Sequence, residues 1–201
     1  MIMRKALASI GLSVLAAGCG TSPPVRFFAL DPMPSAVGPQ MPPAADKPGR
    51  WQVQVAAVHI PPTLDRQEIV RQSEAGVLDI DDRNRWGAPL ADMTRNVLTE
   101  DLVSRLGAPR VVPPEDSVSA DCYQVGVDIL RLQINSTGRL ELEIIWSVSK
   151  ADADHVAWTR RFVTQRDSSA TGYAEEVRLV SETLGQLADQ IVQTLTSNLR
   201  S

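Results

Sequence analysis

The sequence predicts one α/β domain of α+β character: a mixed sheet of about five to seven strands with an antiparallel meander, and two helices packed on it. Three observations carry that expectation. Apolar residues alternate with polar ones in long blocks between residues 123 and 162, separated by turn residues. Two other segments, residues 89–106 and 172–199, place apolar side chains at steps of three and four. The chain of 201 residues, 43% hydrophobic and 22% charged, is long enough for one core and shows no internal repeat.

Taken in order, the folded part opens at Trp51. Val53, Val55 and Ala57 alternate with polar positions, and Val58 and Ile60 lead to Pro61-Pro62, a strand ended by a rigid turn. Residues 68–71 and 77–80 read as short extended pieces around a polar turn at 73–76. A helix opens at Pro89 and places Leu90, Met93, Val97, Leu98, Leu102 and Leu106 on its inner side until Gly107 and Pro109 end it. After residues 110–112 and a turn at Pro113-Pro114, Tyr123, Val125, Val127 and Ile129 alternate. The phase then slips to Leu130, Leu132 and Ile134, which predicts a bulge near Ile129-Leu130. Residues 136–139 form a hairpin turn. Leu140, Leu142, Ile144, Trp146 and Val148 are the cleanest alternation in the chain, and Val156, Trp158 and Phe162 mark the next strand. The final helix carries Tyr173, Val177, Val180, Leu184, Leu187, Ile191 and Leu195 in one stripe over about seven turns, as core packing against the sheet requires.

Before Trp51 the texture differs. Arg4 and Lys5 precede an apolar run at residues 6–17 that spans only about 18 Å as a helix, too short for the ~30 Å hydrocarbon core, so residues 1–18 read as a secretion signal. Ala16-Ala17-Gly18-Cys19 resembles the bacterial lipobox. The resemblance implies cleavage before Cys19 and an N-acyl diglyceride on that cysteine, palmitate-type chains whose combined methylenes make a permanent membrane anchor. An ordinary signal peptide with a coincidental cysteine is the alternative. Gly20 in place of aspartate favours the periplasmic face of the outer membrane. Residues 19–50 hold eight of the fourteen prolines and read as a tether. Within it Phe27, Phe28 and Leu30 are costly to leave in water, so residues 27–30 are expected to dock on the domain at 51–201 as an edge strand or clamp. Docking leaves only a short link between lipid and domain.

Composition excludes several function classes. Twenty basic residues against 24 acidic ones give a charge of −4 with no like-charge run, which argues against a nucleic-acid partner. His59, His155, Cys19 and Cys122 are the only histidines and cysteines and lie far apart, so no zinc site or disulfide framework is assembled from them. Cys122, in a strand-like stretch, reads as a small buried hydrophobe. Residues 79–84 suggest a calcium loop only superficially, because Asn84 and Leu90 stand where glycine and glutamate are needed; a solvated turn is the better reading. No nucleophile elbow, P-loop or dinucleotide fingerprint occurs. No catalytic residue, metal ligand or cofactor is assigned beyond the diglyceride on Cys19.

Two segments stand out: Ile60-Pro61-Pro62-Thr63-Leu64-Asp65-Arg66-Gln67-Glu68-Ile69-Val70-Arg71, and Asn84-Arg85-Trp86-Gly87-Ala88-Pro89-Leu90, which reads as a loop carrying Trp86 ahead of a helix. On their own, Leu64, Asp65, Arg66 and Trp86 either brace the sheet or face a partner. With the lipobox, Phe27-Phe28-Ala29-Leu30, the Trp146 strand and the terminal helix, their order resembles the ABC-type transport auxiliary lipoproteins, the PqiC-like family. It departs in having Thr63 and Gly87 where an aromatic and an alanine are expected. The resemblance implies a non-enzymatic accessory, anchored at the outer membrane through Cys19. Its implied partners are a mammalian-cell-entry (MCE) domain protein, which carries phospholipids between membranes, and an ABC or integral-membrane permease; a homo-oligomeric ring is compatible with that role. Rival readings are a structural envelope-assembly lipoprotein without a transport role and a lipoprotein envelope hydrolase.

Overall fold

A computed structural model describes residues 23–35, 51–74, 76–153, 156–168 and 172–199. The strands are β1 (Arg26–Phe28), β2 (Gln52–His59), β3 (Glu68–Glu74), β4 (Val77–Trp86), β5 (Cys122–Ile134), β6 (Arg139–Lys150) and β7 (Val156–Asp167). The helices are α1 (Leu90–Leu106) and α2 (Tyr173–Asn198). The expected fold class, a single α+β domain with two helices, is what the chain adopts.

The seven strands are divided between two sheets rather than joined in one. Four strands run in the order β2-β5-β6-β7, with β2 parallel to β5 and β5, β6 and β7 forming the expected antiparallel meander. Three others run β1-β4-β3, with β1 parallel and β3 antiparallel to β4. Alternation identifies strands but not their partners, and the β3–β4 pairing carries two register shifts, where the ladder is locally broken. One bridge, Gln72 to Asn135, joins β3 to the end of β5.

One core unites the layers. Val125, Val127, Ile129, Leu132, Leu140, Leu142, Ile144, Trp146 and Val148 point from the large sheet toward α1 and α2. The predicted inner residues of α1 and the apolar stripe of α2 from Val177 to Leu195 are buried against them, with Tyr173 partly covered at the start of the stripe. Gly107 ends α1 at φ +84°, a conformation that favours glycine, and its N–H reaches the Val103 carbonyl at 2.9 Å. The predicted bulge is present: the β5–β6 register shifts between Ile129 and Arg131, which turns Leu130 outward. At the hairpin turn, the Asn135 carboxamide oxygen accepts the N–H groups of Thr137 (3.0 Å) and Arg139 (2.9 Å).

Two sequence expectations need correction. Residues 79–84 are not a turn but the middle of β4, which runs on to Trp86. Asp81 there uses both carboxylate oxygens within the strand, accepting from the Arg83 N–H and guanidinium on one side and from Asn84 Nδ2 on the other. Trp86 consequently ends a strand instead of sitting on a loop. The Phe27-Phe28-Leu30 segment does dock, as β1, but only Phe28 and Leu30 are covered; alternation along the strand turns Phe27, next to Phe28, to the other face, where it is 66% exposed.

Candidate functional site

The sequence-predicted residues meet at one corner of the domain. The Leu64 N–H bonds the Pro61 carbonyl (2.8 Å), and the Trp86 N–H bonds the Gln67 carbonyl (2.7 Å), tying the turn after β2 to the end of β4. Leu64 and Trp86 are buried at 8% and 6% exposure and pack with Ile69, Leu90, Leu132 and Val180. Neither side chain offers a surface to a partner; both brace the turn. Asp65 and Arg66 lie outside. Arg66 donates to Glu68 (3.0 Å), and that bond holds the Glu68 carboxyl below its ordinary range.

Beside this corner the seam between the sheets opens into a groove of about 250 Å³. Its walls are the turn at Pro61, Thr63 and Leu64, residues 70–72 of β3, residues 130–133 of β5, and Leu78. Leu130 at the bulge is 48% exposed, so the irregularity in β5 places an apolar side chain on the groove's rim. Arg71 on the opposite wall is held rigidly: its guanidinium makes a two-pronged pair with the buried Glu176 (2.8 and 2.6 Å) and lies 3.5 Å from the Tyr173 ring centre. That pair staples β3 to the first turn of α2, where Glu176 also meets the positive end of the helix.

The second constellation was not legible as a site. The arm formed by residues 26–33 runs from β1 across both helices. The Asp31 N–H bonds Ser181 Oγ (3.1 Å), and the Met33 N–H bonds Asp101 Oδ1 (2.7 Å). Arg105, buried at 1% exposure, donates to the Met33 carbonyl (3.1 Å), the Asp101 carboxylate (3.2 Å), the Gly185 carbonyl (3.0 Å) and Asp189 (2.7 Å). The arm lies so close to α2 that a Cβ on Gly185 would stand 2.9 Å from Met33 Cβ, which only glycine avoids. One signal was available: Asp101 and Arg105, four residues apart, fall on the apolar face of α1 between Leu98 and Leu106, where charge is expensive unless paired.

Burial pushes the Asp101 carboxyl up to about 6, against the opposing pull of Arg105 and the Met33 N–H. The folded value lies above the ordinary 3.8, so the native state takes up this proton before the unfolded chain does. Asp101 thus costs stability at pH 7 and costs less as pH falls through 6 toward 4. Comparing urea unfolding of the wild type and Asp101→Asn should show the wild type recovering on the order of 2–3 kcal/mol relative to the variant between pH 7 and pH 4. A difference independent of pH would contradict this assignment.

Elsewhere, Cys122 is fully buried and burial pushes its thiol up, so it stays a protonated small hydrophobe as expected. His59 pairs with Asp128 at 2.8 Å on the exposed face of the large sheet. Cys19 lies outside the described residues.

Two sheets, a surface groove at their seam and an N-terminal arm hydrogen-bonded to both helices make up one α+β domain. The chain belongs to the family of ABC-type transport auxiliary lipoprotein components, whose family model matches residues 31–192. This is a transport auxiliary family and not an enzyme family. The matched span begins inside the arm. Solved structures that share the fold include an uncharacterized protein with TM-score 0.70 and 19% identity, covering 86% of this chain and 99% of its own, and a Xanthomonas campestris protein with TM-score 0.64 and 20% identity, covering 85% and 94%. Among curated proteins no match is found.

Proposed function

We propose that this protein is a non-catalytic accessory of an MCE-type intermembrane phospholipid transport system, held by an acylated Cys19 on the periplasmic face of the outer membrane, where it docks the conduit. The observation that carries the reading is the locked arm. With residues 26–33 fixed to the body, at most seven residue steps separate Cys19 from the first paired strand residue, a reach of about 25 Å at full extension. A domain held that close to lipid suits a component that positions a conduit at a membrane. Family membership supports a transport role, and the end of the groove at Pro61 and Thr63, with Asp65 and Arg66 beside it, is the surface we assign to the partner.

The test is crosslinking in living cells, extraction of the tagged protein in mild detergent, and identification of what co-purifies with wild type and with Cys19→Ala. An MCE-domain protein should accompany the wild type and be lost with the variant, and the mass of the complex separates a ring from a single copy. Correctly acylated protein that recovers no such partner but enriches glycan or another assembly would contradict the proposal and favour a structural envelope role.

A further inference from the structure

We infer that the tip of the β3–β4 hairpin is seated in the surface of the bilayer that carries the anchor. The inference rests on the reading of Cys19 as acylated. β4 overshoots the core: Asn84 and Trp86 are buried, whereas Leu78 and Ile80, at alternate positions on the same strand, are 43% and 38% exposed, and Val77 at the tip is 49% exposed. A hairpin tip with three large apolar residues in water calls for a cover.

The register of β1 says what the cover is. β1 runs parallel to β4 with Arg26 opposite Asn84, so the chain preceding Arg26 approaches from the side of the tip. The irregularity in β4 shortens the strand, since Arg85 to Ile80 spans only Glu68 to Val70, so the tip residue Val77 lies roughly 17 Å beyond that level at the usual rise. Cys19 is seven residues from Arg26, with a reach of at most about 25 Å. The link is therefore long enough for the anchor to reach the level of the tip, and Val25 and Phe27, both exposed, lie on the same approach. The tip offers no basic patch to anionic lipid, and Arg26 on the approach lies over the Phe28 ring. Arg71, Arg83 and Arg85 face Glu176, Asp81 and Glu68, while Glu74, Asp79 and Asp82 flank the tip. Apolar insertion into a zwitterionic surface is the contact this chemistry permits.

The experiment uses the full, acylated chain reconstituted into phosphatidylethanolamine–phosphatidylcholine vesicles with or without brominated acyl chains. A fluorophore is placed at Leu78→Cys, at Ile80→Cys as a second position, and at Val156→Cys at the opposite end of the large sheet as control; Cys122 is buried and does not compete. Brominated lipid should quench the labels at 78 and 80 several-fold more than the label at 156, and adding anionic phosphatidylglycerol should not increase the difference. Melting curves matching wild type confirm that the labelled variants are folded. Protein that floats with the vesicles yet shows no difference between the two ends overturns the inference while leaving the anchor intact. Self-quenching between labels at 78 would show that a second copy covers the tip, which also overturns it. Failure to float refutes the acylation reading, and the inference falls with it.

Discussion

Arg105→Ala should destabilise the domain by about 3–5 kcal/mol, because it strips a buried carboxylate of its counter-charge and unties the arm and α2 from α1. In the native state the guanidinium reaches Asp101 on its own helix, Asp189 and the Gly185 carbonyl on α2, and the Met33 carbonyl on the arm. Removing it leaves Asp101, fully buried, with the Met33 N–H as its remaining partner beyond its own helix. Three segments distant in sequence would lose their common tie at once. Set against a total of roughly 5–15 kcal/mol for a domain of ordinary stability, the loss is a large fraction of the whole. Thermal and urea unfolding of the variant check it; a change below about 1 kcal/mol, the range of exposed ion pairs, would mean the network is not buried as described.

Trp86→Ala is expected to cost a similar amount, about 3–5 kcal/mol, by opening a cavity that the surrounding side chains only partly close. Leu64, Ile69, Leu90, Leu132 and Val180 around it come from the turn, β3, β5 and both helices. Each is fixed by a different element, so none can move far into the space. Arg66→Ala, at the same corner but facing water, should leave the melting temperature nearly unchanged and weaken partner recovery in the crosslinking experiment. The pair of variants separates bracing from contact: equal melting for both would place Trp86 on the surface and refute its packing role.

Much of the fold was legible because burial imposes periodicity. The inner faces of α1, β5, β6 and α2 followed from steps of three and four or of two, and the slip between Ile129 and Leu130 appeared as a bulge because one added residue inverts the faces of everything after it. What periodicity does not encode is pairing. That β1, β3 and β4 form a sheet of their own depends on the docking of a three-residue strand against Asn84, Arg85 and Trp86, a long-range contact with no local pattern. The run of charges at residues 79–84 hid the middle of β4, since a strand exposed on both faces has no apolar alternation to show. At the candidate site, the four residues singled out do meet at one corner, but the sequence could not divide them into Leu64 and Trp86 within and Asp65 and Arg66 without. The arm lock was hidden for a different reason: a lone Asp–Arg spacing on a helix is ordinarily a surface pair, and only the buried setting of Asp101 and Arg105 makes it a tie to Met33.

Residues 26–33, which follow the cysteine proposed as the anchor, are part of the folded body and not a free tether. Amide hydrogen exchange at Asp31 and Met33 tests it most directly, since their N–H groups bond Ser181 and Asp101 across the helices. If the arm is locked, Met33 exchanges on the timescale of the buried amides of α1 and α2, and that protection is lost in Arg105→Ala. Exchange at Met33 as fast as in an exposed loop, in the wild-type protein at neutral pH, would contradict the account.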